Sequence, residues 1–217
     1  MSPVLIREYR RAERIADSIV HVVGIASGVT ACVALGIMAL PSAGYRLAVS
    51  VSLYAAGMMA MLWCSALYNM ASDGAVKRRL RRLDHAAIFV MIAGTYTPFA
   101  LQIIGGGWGL GVLAFVWTVA LSGVALKLLL PHRFERLSIV MYLLLGWSVL
   151  VALEPLLAGI SMAGFVLLLA GGLLYSLGVV FHLWSRLPFQ NAIWHALVLA
   201  AAGCHYAAIL RELVFNT

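Results

Sequence analysis

Seven long apolar stretches dominate the hydropathy pattern of this chain. They cover residues 18–40, 47–70, 84–104, 108–130, 137–158, 162–184 and 191–213. Each is long enough to cross a bilayer as a helix, which takes about 20 mostly apolar residues. The breaks between them are short and carry proline, glycine or charge, as at residues 73–82, 105–107 and 131–136. Because short connections join antiparallel neighbours, the pattern predicts an all-α bundle of seven transmembrane helices, a single domain over residues 1–217.

Composition agrees with a membrane protein. Apolar residues make up 64% of the 217 residues and charged residues only 11%, and the mean hydropathy is +1.00. A soluble domain averages about half apolar and a quarter charged. The net charge of +7 does not indicate nucleic-acid binding, because the basic residues lie in short loops between apolar stretches. The expected partners are membrane lipids, and the sequence does not indicate an oligomeric state.

The lysine and arginine residues are distributed unevenly between the two sides of the predicted bundle. Thirteen of the 15 fall on the side of the N-terminus and of the 73–82 run, and only Arg46 and Arg211 fall on the other. Short loops that face the cytoplasm are enriched in positive charge. The sequence therefore predicts a multi-pass plasma-membrane protein with its N-terminus in the cytoplasm and its C-terminus outside.

Three of the predicted helices carry polar side chains at the same depth, close to the cytoplasmic boundary. They are Ser65 and Asn69 at the end of the second helix, Asp84 and His85 at the start of the third, and Asn191 and His195 at the start of the seventh. Side chains four residues apart share a helix face, and ionisable groups within a membrane span are costly and usually functional. These helices are therefore candidates for one shared site.

Each of these residues also has a structural interpretation. Asp84 either joins a buried polar site or is a negative charge favoured by the dipole at the start of its helix. His195 is either a site residue or a partner in a hydrogen bond between helices. His21 either faces the site from a fourth helix or lies at the membrane interface. His205 lies about 15 Å beyond His195 at the rise of an α-helix, so we expect it outside the immediate site, near a structural hydrogen-bond network at residues 95–98.

Three motifs indicate a family. The segment LRRLDHAAIFVMIAGTYTPF at residues 80–99 follows SALYN at 65–69, and IWHALVLAAAGCHYAAI occupies 193–209. With these motifs the chain resembles the haemolysin III family, which belongs to the larger group of adiponectin and progestin receptors. The resemblance covers essentially the whole chain and implies seven helices with a cytoplasmic N-terminus.

The resemblance also implies a zinc site of hydrolase type. Its pattern is Ser-x-x-x-His at the end of helix 2, an aspartate at the start of helix 3 and His-x-x-x-His at the start of helix 7. Ser65, Asp84 and His195 match this pattern, which makes Asp84 and Ser65 candidate catalytic residues and His195 a remnant metal ligand. Asn69 and Asn191 stand where the pattern has zinc-binding histidines.

A neutral amide oxygen is a poor substitute for imidazole on zinc. We therefore expect no tightly bound cofactor, and a metal-free network of hydrogen bonds among the five polar residues. The corresponding function is a haemolysin III-like membrane protein with a degenerate zinc site, active in membrane homeostasis or lipid sensing. Two alternatives stay open: a metal-dependent lipid amide hydrolase with an altered site, and an ion or proton channel or transporter that uses Asp84, His85, His195 and His205. The family name implies a cytolytic role, which no feature of the sequence supports.

Overall fold

The structure is a computed structural model, and it describes residues 10–41, 43–130 and 135–216. These residues contain seven helices long and apolar enough to cross a membrane, as predicted. We number them as spans 1 to 7: Arg11–Ala39, Tyr45–Met70, Ala75–Ile104, Gly106–Leu129, Leu137–Gly159, Met162–Leu183 and Gln190–Phe215. Part of the predicted break at 131–136 and the N-terminal Arg7 lie outside the described residues. The orientation of the two termini stays a prediction.

Two spans begin earlier than the hydropathy pattern indicated. Span 1 begins at Arg11, so Glu13 and Asp17 are helical. Span 3 begins at Ala75, so the basic run that we assigned to a loop forms its first turns. Lysine and arginine are good helix formers, and their long side chains can reach the membrane surface from within a helix. Asp84 consequently lies more than two turns inside span 3, too far from the helix start for the dipole to explain its presence.

Span 3 is the central helix of the bundle. Over half of its apolar window, 56%, is buried, against 17–33% for the other six spans. One side of it contributes Ala87 and Met91 to a core with spans 1, 2 and 7. The opposite side contributes Phe89 and Ala93 to a smaller core with spans 4 and 5. A residue on span 3 can therefore face almost any other helix of the bundle.

Spans 2 and 3 approach each other closely at two glycines. A Cβ atom on Gly57 would lie 3.0 Å from the carbonyl oxygen of Val90, and one on Gly94 would lie 2.9 Å from that of Leu53. Small residues let helix backbones approach within a membrane, where packing and hydrogen bonds drive association. This contact sets the distance between the polar residues of span 2 and those of span 3.

Several helices depart locally from α-helical geometry. Span 3 ends in a π-helical turn, Phe99–Ile104, directly after Pro98; proline lacks the N–H that an α-helix would use there. Span 5 contains a 3₁₀ segment, Ser148–Ala152, whose Val149 N–H donates to the Tyr96 hydroxyl at 2.8 Å. The indole N–H of Trp117 donates to Thr97 at 3.1 Å. A hydrogen-bond network at residues 95–98 is thus present, as predicted from the sequence, and Tyr96 links it to the break in span 5.

We expect Gly94→Ala to destabilise the protein, because the added methyl group would meet a backbone carbonyl that cannot move aside. Overpacking of this kind costs about 1–3 kcal/mol. The matched control is Gly203→Ala, where no atom lies within 4 Å of the added Cβ. Alanine is favoured over glycine in a helix by about 1 kcal/mol, so the control should be neutral or stabilising. Thermal unfolding in detergent measures both, and equal behaviour of the two variants would contradict the close contact.

Candidate functional site

Three ionisable residues face the bundle interior on successive turns of span 1. Glu13, Asp17 and His21 are spaced four residues apart and are only 3%, 7% and 7% exposed. Residues at this spacing lie on one helix face. Charged groups are almost never buried unless they are paired, so each of these side chains needs a partner on a neighbouring helix.

Glu13 holds the start of span 7. One carboxylate oxygen accepts the backbone N–H of Phe189 at 3.0 Å, and the other accepts the backbone N–H of Arg10 at 2.9 Å. Phe189 has a φ of 58°, a left-handed conformation that costs a non-glycine residue energy. Glu13 therefore stabilises a strained turn that fixes where span 7 begins.

One turn further along, Asp17 bridges two histidines. Its Oδ1 lies 2.6 Å from His195 Nδ1, and its Oδ2 lies 3.6 Å from His21 Nε2. Because a carboxylate only accepts hydrogen bonds, the short contact assigns the proton to Nδ1 of His195. The two imidazole rings are 4.4 Å apart between centroids, with an angle of 52° between their planes. Span 1 and span 7 are thus joined at this level by two imidazoles and one carboxylate.

The polar residues of spans 2 and 3 face the same region. Asp84 lies next to Ser65 and within electrostatic range of His195 and His21. The side-chain nitrogen of Asn69 donates to the Ser65 carbonyl at 2.9 Å. Asn69 therefore bonds within its own helix. His195 has Asp17 as its hydrogen-bond partner, and Asp17 was not part of the predicted network.

All eight residues singled out from the sequence line one internal cavity of about 530 Å³, namely His21, Ser65, Asn69, Asp84, His85, Asn191, His195 and His205. His205 is the outlying member. Its Nε2–H donates to the Leu168 carbonyl of span 6 at 3.2 Å, and its ring lies 5.5 Å from that of Tyr175. His205 thus bonds to span 6 and is not a member of the hydrogen-bond network at residues 95–98. The roles of the eight residues stay predictions.

The residues at the positions of the family zinc pattern do not fit a tight zinc site. Asn69 and Asn191 offer only neutral amide groups, which bind zinc weakly, and His195 is the one imidazole of the pattern. A different group does present the donors of a metal site: ligand atoms of Asp17, His21 and His195 all lie within 4.8 Å of one another. The expectation of no cofactor stays a prediction, and the structure adds a second set of donors beside the family positions.

Asp17 and Glu13 were not among the site residues predicted from the sequence. Their four-residue spacing with His21 is the signal that could have found them. The apolar window begins at residue 18, however, and leaves both carboxylates outside the predicted helix.

A chain of seven apolar helices with a polar group buried at one end of the bundle is a multi-pass integral membrane protein. Residues 10–206 match the haemolysin-III related family, and the chain belongs to that family. It is 38% identical to the hemolysin-3 homolog of Bacillus subtilis over 198 residues, 91% of this chain and 93% of that protein. It is 37% identical to hemolysin-3 of Bacillus cereus over 198 residues, 91% of this chain and 90% of that one.

A human protein is a more distant relative. The monocyte to macrophage differentiation factor is 31% identical over 172 residues, which is 74% of this chain and 69% of the human protein. Together with the seven apolar spans, these relatives confirm the sequence-based assignment to the family and to the plasma membrane.

We expect Glu13→Gln to destabilise the start of span 7. Glutamine keeps one acceptor oxygen and places an NH₂ group opposite the other backbone N–H, so one of the two hydrogen bonds is lost and a donor is left unsatisfied. The cost of such a loss is about 1–3 kcal/mol. Hydrogen exchange at the Phe189 amide should accelerate, and the melting temperature should fall.

The matched control for this substitution is Glu154→Gln, since Glu154 is exposed on span 5. It should leave both measurements unchanged. Unaltered exchange at Phe189 in Glu13→Gln would show that the carboxylate does not hold this turn.

Proposed function

We propose that this protein binds a membrane lipid in its internal cavity and acts in lipid sensing or membrane homeostasis, without the hydrolase-type zinc centre implied by the family pattern. The observation that carries the proposal is the composition of the cavity wall. Polar groups from spans 1, 2, 3 and 7 gather at one end, and apolar side chains such as Ile92, Leu143 and Leu168 line the rest. A cavity with one polar end and long apolar walls matches the shape of an amphiphile.

The size of the cavity supports this proposal. Pockets that bind organic ligands occupy about 300–1,000 Å³ and combine apolar walls with a few oriented polar groups. The cavity measures about 530 Å³, within this range. A lipid headgroup would meet three polar side chains in the cavity: Ser65 of span 2, Asp84 of span 3 and His195 of span 7.

We propose no hydrolysis because the residues at the family positions lack the ligands that a hydrolytic zinc ion requires. A hydrolytic zinc ion has three protein ligands and an open position for water. The family positions supply a single imidazole here, and its Nδ1 is already bonded to Asp17. Asp84 would have no metal-bound water to act on at those positions.

A second candidate, a metal-dependent lipid hydrolase with an altered site, is favoured by one observation. The Asp17, His21 and His195 donors adjoin Asp84, which could position a water on a metal held there. Cleavage of a lipid amide by the native protein, stimulated by added zinc and abolished by Asp84→Asn, would establish this function and overturn the first.

We expect Gly172→Leu to reduce the amount of lipid that co-purifies with the protein severalfold. Gly172 lines the cavity, and a Cβ there would make only ordinary contact, at 3.6 Å, with the Trp147 ring. The leucine side chain should therefore enter space that a lipid would occupy. The measurement is mass spectrometry of lipids extracted from protein purified in mild detergent and washed extensively.

The matched control for lipid occupancy is Gly111→Leu. Gly111 is on span 4, does not line the cavity, and has no atom within 4 Å of its added Cβ. This variant should retain the native amount of lipid. Equal lipid content in the two variants, or none in the native protein, would refute a lipid-binding cavity.

We expect the double substitution Asn69→His/Asn191→His to raise the zinc retained through purification to about one ion per chain, above the amount that the native chain retains, because three imidazoles complete a tighter, family-type site. Elemental mass spectrometry on untagged protein, purified without chelators, measures the difference from the native chain. The control is Asn69→Gln/Asn191→Gln, which changes the same positions without adding imidazole. A revertant that retains no more zinc than this control would mean that the scaffold no longer has the family geometry.

A further inference from the structure

We propose that Asp17, His21 and His195 form a binding site for a divalent transition-metal ion of the zinc type. The site lies between spans 1 and 7. It shares only His195 with the family pattern, whose other positions are on spans 2, 3 and 7. The inference goes beyond the proposed lipid function and does not depend on it.

His21 has a buried ring nitrogen with an unsatisfied hydrogen-bonding capacity. The residue is 7% exposed, and among the described residues its Nε2 has no hydrogen-bond partner. Buried polar atoms are nearly always bonded, and an orphaned one calls for a missing water, ion or ligand. The nitrogen faces the Asp17 carboxylate at 3.6 Å, beyond hydrogen-bond distance.

The donor atoms of the three residues are spaced as metal ligands would be. Zinc binds imidazole nitrogen and carboxylate oxygen at about 2.0–2.2 Å, so two such ligands at a tetrahedral angle lie about 3.4 Å apart. The 3.6 Å between His21 Nε2 and Asp17 Oδ2 is close to this separation. The 2.6 Å between His195 Nδ1 and Asp17 Oδ1 is a hydrogen bond, and metal binding would replace it by coordination and release the Nδ1 proton.

The chemistry of the group suits a metal of the zinc type. Two imidazoles and one carboxylate are the protein ligands of a class of zinc sites with one open position, and this nitrogen-rich set disfavours magnesium and calcium. The carboxyl groups of Asp17 and Asp84 both lie within electrostatic range of the two imidazoles. They would balance a divalent ion in a part of the bundle where an unbalanced charge is costly. Arg81, which lies near Asp84, offsets part of this charge.

The surrounding residues hold the ligands in place. Glu13 fixes the start of span 7 one turn before Asp17, and a Cβ on Gly24, beyond His21, would lie only 3.5 Å from Leu62 and 3.6 Å from Leu199. The three donors therefore come from helices with a fixed relative position. Such support by surrounding groups is what orients ligands in metal sites.

Titration of the purified, untagged protein with zinc chloride tests the site, by calorimetry and by the visible spectrum after loading with cobalt(II). We expect one saturable site per chain in the native protein. Asp17→Asn and His21→Gln, which nearly preserve side-chain shape, should each weaken binding by about tenfold or more. Melting temperatures of the variants without metal check that they are folded.

Two controls separate this site from other sources of binding. His205→Gln removes a histidine of span 7 that bonds to Leu168, outside the group, and should leave zinc affinity unchanged. Asn69→Ala removes a family-pattern position and should also leave it unchanged. Absence of saturable binding to the native chain would overturn the proposal. So would loss of binding in Asn69→Ala while His21→Gln binds normally, or equal loss in His205→Gln.

A spectroscopic measurement on the native protein keeps the proposal testable if the variants do not fold. X-ray absorption of the zinc-loaded protein should show nitrogen and oxygen ligands with the scattering of two imidazoles. A shell with sulfur, or with fewer than two imidazoles, would overturn the assignment. A native protein that carries lipid in its cavity and binds no zinc would refute this site and leave the lipid-binding function standing.

Discussion

The site depends on the pairing of the Asp17 carboxylate with His21 and His195 inside an apolar bundle. A carboxylate removed from water without partners costs several kcal/mol. Asp17 offsets this cost through His21, four residues along its own helix, and through His195, whose contact requires that spans 1 and 7 be aligned. One turn earlier, Glu13 binds the backbone at Phe189. Two carboxylates on one helix face therefore determine where span 7 begins and which way His195 points.

A second contact, between spans 2 and 3, brings the remaining polar residues to the same cavity. It has a different physical basis, because Gly57 and Gly94 let two backbones approach each other's carbonyl groups. At the end of this contact Ser65 meets Asp84. The cavity thus lies between two pairs of helices. Spans 1 and 7 are joined by buried charged groups, and spans 2 and 3 are joined by close packing. Span 3, the most buried helix, contributes Asp84 to the site and, through Tyr96, supports the 3₁₀ break in span 5.

Much of this arrangement could be predicted from the sequence, and the parts that could not have identifiable causes. Apolar stretches of bilayer length indicated seven spans, and polar residues at one depth indicated a shared cavity. Hydropathy could not place the start of span 1 or span 3, because charged helical turns look like loops in an apolar window. The partner of His195 was missed for this reason. Nor does any local signal in the sequence predict the left-handed Phe189, whose conformation depends on Glu13, 176 residues away.

Asn69 stands at one of the family's zinc positions. Its side-chain nitrogen donates to the Ser65 carbonyl, so it bonds within its own helix. The imidazole that remains, His195, is bonded to span 1. The polar side chains thus fall into two neighbourhoods: Ser65 and Asn69 of span 2 near Asp84, and the imidazoles of His21 and His195 beside Asp17. Each neighbourhood contains a carboxylate that requires partners, which keeps polar side chains at this end of the cavity.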